Sequence, residues 1–240
     1  NGPYSRSGEA LLFDAAGVAR YVAPASDQLW VESYPNADSE KVIALLIATA
    51  LPMLIWMRGD VVVHAAGIVP AGTTKAIAIA GPSGVGKSTL AAGLIDKGGR
   101  LVGDDNLKLT VTAERALVSG LSACLFAPHA PNTRRTAIAL PRASQMEIAP
   151  LAAIICLKID DAIAGPVVNR LQGVDGLQAL LKNRHRPKIP AILGRDVELL
   201  KQWILHCRMS PIYEMRMKTG DVAGSRQHIA SVISDILRSG

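Results

Sequence analysis

Aromatic side chains and cysteines are scarce in this chain of 240 residues. Aromatics make up 4% of the residues, which argues against a surface that stacks nucleic-acid bases, so no nucleic-acid partner is expected. Cys124, Cys156 and Cys207 are far apart and form no C-x-x-C or Cys/His pattern. A zinc site is therefore not expected, and reduced thiols predict a cytoplasmic protein.

A long membrane-spanning run is also missing. The uncharged run from Val42 to Met57 has 16 residues, fewer than the ~18–20 that a span needs, and it contains Pro52. We expect a buried helix that begins near Asp38 and is kinked or divided by Pro52, with a membrane segment as the alternative. No signal-peptide pattern precedes it, and no membrane partner is expected.

What the chain does contain is typical of a globular protein, with 49% apolar and 19% charged residues. The net charge of +6 fits an acidic substrate or nucleic acid, or has no special meaning. Strand and helix patterns alternate, which predicts an α/β fold with an added antiparallel part. We expect residues 1–60 to be strands plus the apolar helix, packed on a core of residues 61–240 in one continuous unit. Strands are predicted at 10–14, 18–22, 28–33, 61–69, 76–80, 100–105, 107–111, 116–118, 152–159, 167–171 and 212–217, and helices at 89–95, 176–183, 197–206 and 225–237.

The most informative segment is a glycine-rich loop between an apolar strand and a helix. It matches G-x-x-x-x-G-K-[ST], the phosphate-binding P-loop, from Gly81 to Ser88. The order of strand, loop and helix is the context that this motif requires, so we predict binding of a nucleoside triphosphate. The predicted nucleotide-binding residues are Gly81, Pro82, Ser83, Gly84, Val85, Gly86, Lys87, Ser88 and Thr89.

The residue types in this loop suit phosphate chemistry. Gly81, Gly84 and Gly86 let the backbone curl so that N–H groups point at a phosphate. Lys87 supplies a mobile positive charge, and the Ser88 hydroxyl is a hard oxygen ligand of the kind that Mg²⁺ prefers. The helix that follows adds the partial positive charge of its N-terminus.

Two adjacent carboxylates, Asp104 and Asp105, follow the next apolar strand. One of them can face Mg²⁺ while the other accepts the proton of an attacking hydroxyl. The alternative is that Asp-Asp-Asn only forms a turn before Asn106. Upstream, His64 lies within the strand predicted at 61–69 and is either a core residue or a group that returns to the phosphates.

The segment from His64 to Leu109 resembles the catalytic domain of HPr serine kinase/phosphorylases. That family has a histidine on a strand before the loop, G-x-x-G-x-G-K-S, and then R-L-V-x-D-D. The resemblance implies an HPr-kinase-like P-loop fold, a mixed sheet with flanking helices, here with a strand-rich N-terminal extension. It also implies that His64 lies near the transferred phosphate, that Asp105 is the base, and that Asp104 lies on the metal side with Ser88.

The chain departs from the bifunctional family in two ways. About 60 residues precede His64 where that family has a large domain, and no E-x-R-G-x-G-I segment follows the Asp pair. The chain resembles instead the truncated HPr-kinase-like proteins of lasso-peptide gene clusters. That resemblance implies phosphorylation of the C-terminal serine of a precursor peptide. The HPr kinases themselves assemble as hexamers, so a homo-oligomer is expected here.

The roles of two basic stretches, residues 182–188 and residues 132–135 with Arg142 nearby, are left open by the sequence. Residues 182–188 are either a solvated loop or a contact for the peptide or the nucleotide phosphates. An arginine that stabilises charge on the γ-phosphate is also expected. The sequence does not choose among the candidates Arg134, Arg135, Arg142, Arg184 and Arg186.

The predicted function is therefore a kinase that transfers the γ-phosphate of ATP to a serine hydroxyl of a peptide, with Mg²⁺. The alternatives are an ATP-dependent switch or accessory ATPase, and a small-molecule kinase. The Asp pair favours a kinase over a hydrolase, because a hydrolase needs only a positioned water and one metal-side carboxylate.

Overall fold

The computed structural model describes residues 3–122, 124–126, 137–221, 225 and 227–232. The chain forms two compact units, Asn1–Val62 with Arg184–Gln202, and Val63–Asn183 with Trp203–Gly240. The first unit therefore includes a segment from late in the sequence, between residues of the second.

The first unit is built on a four-stranded antiparallel sheet whose strands follow chain order. Side chains alternate across it, so Leu11, Phe13 and Tyr21 are buried on one face. The ring of Phe13 stacks on that of Tyr21 with centroids 5.5 Å apart. Its strands are β1 (Tyr4–Ser7), β2 (Ala10–Ala15), β3 (Ala19–Ala23) and β4 (Trp30–Ser33).

The apolar run forms three helical segments, α1 (Ser39–Leu45), a π-helical turn (Leu46–Ala50) and α2 (Leu51–Arg58). As predicted, a capping residue opens it: the Asp38 carboxylate accepts a 2.9 Å hydrogen bond from the backbone N–H of Glu40. Pro52 has no N–H to offer the carbonyl four residues before it, Ala48. That carbonyl accepts instead from Nε2 of His185 at 2.8 Å and from Nε of Arg186 at 3.3 Å.

Burial differs along this helical run. Residues from Pro52 to Trp56 are buried, whereas no residue of α1 is. The prediction of one buried helix is therefore wrong for its first half. The 20-residue span Ser39–Arg58 is long and apolar enough to cross a membrane, with 39% of its most apolar window buried. One such helix is weak grounds for a membrane segment, because core helices share this length and composition.

The basic stretch at 182–188 includes a packed connection. His185 is buried. Its backbone N–H donates to the carbonyl oxygen of Val62, and its carbonyl oxygen accepts from Nε1 of Trp56 at 3.2 Å. Together with the contacts to Ala48, these bonds attach residues 185 and 186 to the helical run and to Val62 of the first unit. The expectation of a freely solvated loop is wrong for these two residues. Helices α5 (Lys188–Leu193) and α6 (Asp196–Met209) follow.

Strand β5 (Val61–Val63) includes the last residues of the first unit's N-terminal segment. The strands of the second unit are β6 (Ala65–Val69), β7 (Ala76–Ala80), β8 (Arg100–Gly103), β9 (Leu107–Val111), β10 (Ala116–Gly120), β11 (Cys124–Phe126), β12 (Ala137–Ala139), β13 (Ile148–Ile159), β14 (Val167–Leu171) and β15 (Ile212–Met217). This unit contains the larger, mixed sheet, with the order β9-β10-β13-β7-β6-β8, and β15 pairs with both β13 and β14. Strands β7 and β15 run parallel to β13, and β6 and β10 run antiparallel to their neighbours.

Helices α3 (Lys87–Ile95) and α4 (Gly173–Lys182) complete this mixed α/β unit, which confirms the predicted fold class at that level. Leu90 of α3 is fully buried in a cluster with Ile79 of β7 and Ile155 of β13. Burial of a leucine of this kind stabilises the fold by about 1.5–3 kcal/mol. The start of α3, and with it Lys87, is thus held against the centre of the sheet.

The structure differs from the sequence predictions in several elements. Residues 61–69 form two strands, because the N–H of His64 leaves the ladder and donates to Asn183 O. Strands β1, β11 and β12 and helix α5 are short elements that the patterns did not predict. The helix predicted at 225–237 is helical at residues 225 and 227–232, and the rest of it lies outside the described residues.

Candidate active site

The loop of residues 81–86 connects β7 to α3, so the strand, the glycine-rich loop and the helix follow one another as predicted. Gly81, Gly84 and Gly86 have φ values of 151°, 82° and 104°, where residues with a Cβ are strained. A Cβ at Gly81 would also lie 3.0 Å from Cγ1 of Val85 and 3.1 Å from the carbonyl of Leu157. Glycine is therefore required here for both conformation and space.

Lys87 lies at the centre of the curled loop and is 6% exposed. Its Nζ donates to the carbonyl oxygens of Gly81 at 2.9 Å and Pro82 at 3.0 Å. It also donates to Nε2 of His64, again at 2.9 Å. The ammonium group thus connects the loop to the residue between β5 and β6.

The other residues of the predicted nucleotide site take up different environments. Pro82, Ser83 and Gly84 form the exposed tip of the loop, whereas the Val85 side chain is buried in the core cluster. A Cβ at Gly84 would meet nothing within 4 Å, so space is open above the tip. Thr89 is half-buried in the first turn of α3.

The two carboxylates of the Asp pair have different partners. Asp104 is 1% exposed, and its Oδ1 accepts from the Ser88 hydroxyl at 3.1 Å and from the N–H of Asp105 at 2.9 Å. Asp105 lies with its carboxylate Oδ1 3.6 Å from Nδ1 of His64, and its carbonyl oxygen is 2.9 Å from the same nitrogen. The pair is therefore divided between the loop serine and the histidine.

The backbone of Asp105 has φ = 75°, a left-handed conformation that is unusual for a residue other than glycine. Such a conformation costs on the order of 1–3 kcal/mol and persists only where the surroundings impose it. The N–H of Asp105 is bonded to the preceding carboxylate and its carbonyl to His64, which together account for the conformation. Strain of this kind concentrates at functional sites.

The Asp pair is held in place by two glycines of neighbouring strand segments. A Cβ on Gly120 of β10 would lie 2.7 Å from the Cα of Gly103 and 2.1 Å from the carbonyl oxygen of Val102. These two backbones therefore touch without side chains between them. Because Gly103 immediately precedes Asp104, this close packing fixes where the carboxylates emerge from β8.

Asn106 is a site residue that the sequence patterns assigned only to a turn. It is 2% exposed, and its Oδ1 has no hydrogen-bond partner among the described residues. A buried amide oxygen without a partner costs free energy unless a water or ligand satisfies it. The only sequence signal for it is its position directly after the two aspartates.

Ser88 and Asp104 fit a divalent cation. The Ser88 Oγ and the Asp104 Oδ1 are 3.1 Å apart, so two hard oxygen donors lie side by side at the start of α3. Oxygen ligands of this type, completed by water and phosphate oxygens, are those that Mg²⁺ takes in phosphoryl-transfer sites.

The candidate arginines are distributed over both units and a segment outside the described residues. Arg142 is exposed in a short 3₁₀ turn, Arg142–Ser144, of the second unit, and Arg184 and Arg186 belong to the first unit. Arg186 has a structural contact, since its Nε donates to Ala48 O. Arg134 and Arg135 lie outside the described residues.

Comparison with known proteins gives matches among solved structures. No protein-family model matches the chain, and no curated protein sequence gives a significant match. The chain is similar to the solved structure of the HPr(Ser) kinase/phosphatase from Coxiella burnetii, with 14% identity and a TM-score of 0.43. That match covers 71% of this chain and 97% of the other. A TM-score of this size does not establish a common fold, so the function has to be argued from the site itself.

Proposed function

We propose that the protein is an Mg²⁺-dependent kinase that transfers the γ-phosphate of ATP to a serine hydroxyl of a peptide. The observation that carries this proposal is the convergence of Lys87, His64 and Asp105 at one end of the sheet, beside the pair Ser88 and Asp104. A phosphate-binding cation, two metal-type oxygens and a separate carboxylate are the groups that phosphoryl transfer needs.

The loop and Lys87 bind the triphosphate in this proposal. Lys87 donates its three protons to the carbonyls of Gly81 and Pro82 and to His64. Phosphate oxygens bound in the loop compete for these protons, and the ammonium charge stabilises the negative charge that develops during transfer. The N-terminus of α3 adds its partial positive charge.

Ser88 and Asp104 would hold Mg²⁺, which neutralises phosphate charge when it is bound. Both oxygens are fixed before any ligand arrives, because Asp104 is buried and bonded to the N–H of Asp105. Pre-positioned ligands of this kind lower the cost of ordering the site.

Asp105 is the proposed general base. Its carboxylate takes the proton of the acceptor hydroxyl, the hydroxyl oxygen forms a bond to the γ-phosphorus, and the bond from that phosphorus to the bridging oxygen of ADP breaks. ADP leaves with the electron pair of that bond. His64 orients Asp105, since its Nδ1 contacts both the carbonyl and the carboxylate of that residue.

The acceptor proposed is a peptide that ends in serine, as in precursors of lasso peptides, and the sequence resemblance is the support for it. The test is incubation of the protein with ATP, Mg²⁺ and a peptide ending in Ser, with the same peptide ending in Ala as the control. Mass spectrometry should show one added phosphoryl group on the Ser peptide alone. ATP hydrolysis without any peptide product would favour the switch or accessory ATPase instead. Transfer to a free alcohol but to neither peptide would identify a small-molecule kinase.

A further inference from the structure

A polar cavity lies in the second unit, away from the loop of residues 81–86. It has a volume of about 180 Å³ and is lined by the end of β14, the start of α4 and the chain between α6 and β15. Strand β15 begins here at Ile212 and runs parallel to β13 and β7. The glycine-rich loop follows the carboxyl end of β7, whereas this cavity lies at the amino end of the parallel β15. The loop and the cavity are therefore at opposite ends of the parallel strands.

Positive charge surrounds the cavity. Arg170 from β14 and Arg208 from the last turn of α6 both line it. Neither guanidinium has an ion-pair partner among the residues that the structure describes. No aspartate or glutamate is among its described lining residues, although Asp175 stands in the first turn of α4. Both arginines are exposed, and their guanidinium groups attract an anion to the cavity.

The N-terminus of α4 adds to this potential. The helix has 10 residues and begins at Gly173, and its N-cap residue Gln172 makes no side-chain capping hydrogen bond. Gln172, Gly173 and Gly176 all line the cavity. Backbone N–H groups at an uncapped helix start bind oxyanions well because they carry partial positive charge.

Ser210 provides an independent sign of a missing ligand. It lines the cavity and is 1% exposed, and its Oγ has no hydrogen-bond partner among the described residues. A buried hydroxyl that stays unpartnered costs about 1–3 kcal/mol. A group bound in the cavity would satisfy it.

We propose that this cavity binds a phosphate group, held by Arg170, Arg208, the start of α4 and the Ser210 hydroxyl. Arginine is suited to this role because its planar fork matches two oxygens of a tetrahedral phosphate. The volume far exceeds the roughly 10–15 Å³ that one water requires and accommodates a small oxyanion. The site is separate from the proposed nucleotide site.

The test measures the binding of inorganic phosphate by calorimetry in the Lys87→Ala protein. This substitution is used because it weakens phosphate binding at the glycine-rich loop. That variant should retain one phosphate site. Adding Arg170→Gln and Arg208→Gln should weaken this site by at least about tenfold, because two charge-assisted hydrogen bonds are lost. The matched control adds Lys97→Gln and Arg115→Gln, which remove two exposed charges of the same unit and should leave the affinity unchanged.

Ser210→Ala separates ligand binding from folding. It should lower the phosphate affinity while the free energy of unfolding stays the same or rises, since a buried unpartnered hydroxyl is removed. Loss of stability without loss of affinity would contradict a binding role for this hydroxyl. A second titration with glycerol 3-phosphate assigns the site to a phosphomonoester if it binds more tightly than inorganic phosphate, and to free phosphate otherwise.

Two results would overturn the proposal. One is the absence of any phosphate site in the Lys87→Ala protein, and the other is equal affinity in the double-arginine variant and its control. The outcome is independent of the proposed kinase function. Suppose that Lys87→Ala leaves the number of bound phosphates per protein unchanged while the two arginine substitutions reduce it. The glycine-rich loop would then not be a phosphate site, and phosphate binding in the cavity would still be supported.

Discussion

The Nζ of Lys87 donates to the Nε2 of His64 over 2.9 Å, and this contact together with that of Nδ1 indicates the tautomer of the histidine. A lysine ammonium has no acceptor, so Nε2 must carry a lone pair. Nδ1 lies 2.9 Å from the Asp105 carbonyl, which only accepts, so Nδ1 carries the proton. His64 is therefore neutral with the Nδ1–H tautomer in this arrangement. It connects the proposed phosphate-binding cation to the proposed base.

Lys87→Ala should reduce phosphoryl transfer by at least about 10²–10³-fold, because a charge directed at the transferred phosphate is lost. ATP binding should weaken as well. Transfer to the serine peptide and binding of ATP are measured separately. Lys97→Ala, which removes an exposed lysine of the same unit, is the matched control and should behave like the parent protein. A Lys87→Ala protein with the parent rate would end the proposal of a phosphate-binding loop.

Asp105→Asn should lower the transfer rate by about 10²–10⁴-fold, the usual range for a lost general base. ATP and Mg²⁺ affinity should persist, because the residue contacts His64 and not Ser88. Single-turnover measurements at saturating ATP isolate the chemical step. Transfer at the rate of the parent protein by this variant would contradict the role of Asp105 as the general base.

Ser88→Ala and Asp104→Asn should each raise the Mg²⁺ concentration needed for half-maximal transfer, since each removes one hard oxygen or its charge. The effect of Asp104→Asn should be larger, because the buried carboxylate also orders the N–H of Asp105. The measurement is a Mg²⁺ titration at fixed ATP. Lys97→Ala, which removes an exposed lysine outside the loop, serves again as the comparison. Unchanged titrations in both site variants would show that these oxygens do not bind the metal.

Gly120→Ala should destabilise the protein by about 1–3 kcal/mol, because its Cβ would overlap the carbonyl of Val102 and the Cα of Gly103. These are backbone atoms and cannot rotate away. Urea denaturation gives the free energy of unfolding. Gly165→Ala is the matched control, since a Cβ there meets nothing within 4 Å. Equal stability of the two variants would contradict the close approach of β8 and β10.

Alkaline pH should lower stability partly through Cys156. Burial, with a smaller effect of Glu214, raises the pKa of this thiol from its ordinary 9.0 to about 12. Above pH 9 the unfolded chain therefore loses this proton more readily than the folded one. The stabilisation is complete below pH 9 and disappears as the pH rises towards 12. Urea unfolding at pH 8 and pH 10.5 should show a smaller decrease for Cys156→Ala than for the parent. Identical decreases would argue against the raised pKa.

Much of the site was predictable because its residues are close in sequence. The spacing of the glycines, Lys87 and Ser88 predicted the strand, loop and helix that the structure contains, and the period of the apolar residues predicted most long strands. Whether His64 lies in the core or returns to the loop was left open by the pattern. The structure brings it to Lys87 and Asp105.

Other features could not be predicted, since they depend on pairs far apart in the chain. Nothing local in Pro52 indicates that the Ala48 carbonyl would bond to His185, 137 residues away. The contact of Gly103 with Gly120 likewise needs two strands folded onto each other. The same is true of the cavity lined by Arg170, Arg208 and Ser210, whose members carry no motif.

The sequence by itself determined the glycine-rich loop, the Asp pair and the α/β class, because these follow from local residue spacing and from the period of side-chain burial. Tertiary structure decided which carboxylate faces Ser88 and which faces His64. That division depends on the left-handed backbone of Asp105, which is held by hydrogen bonds from Asp105 to Asp104 and between Asp105 and His64. Local preference disfavours such a backbone, and only the contacts of the folded protein can impose it.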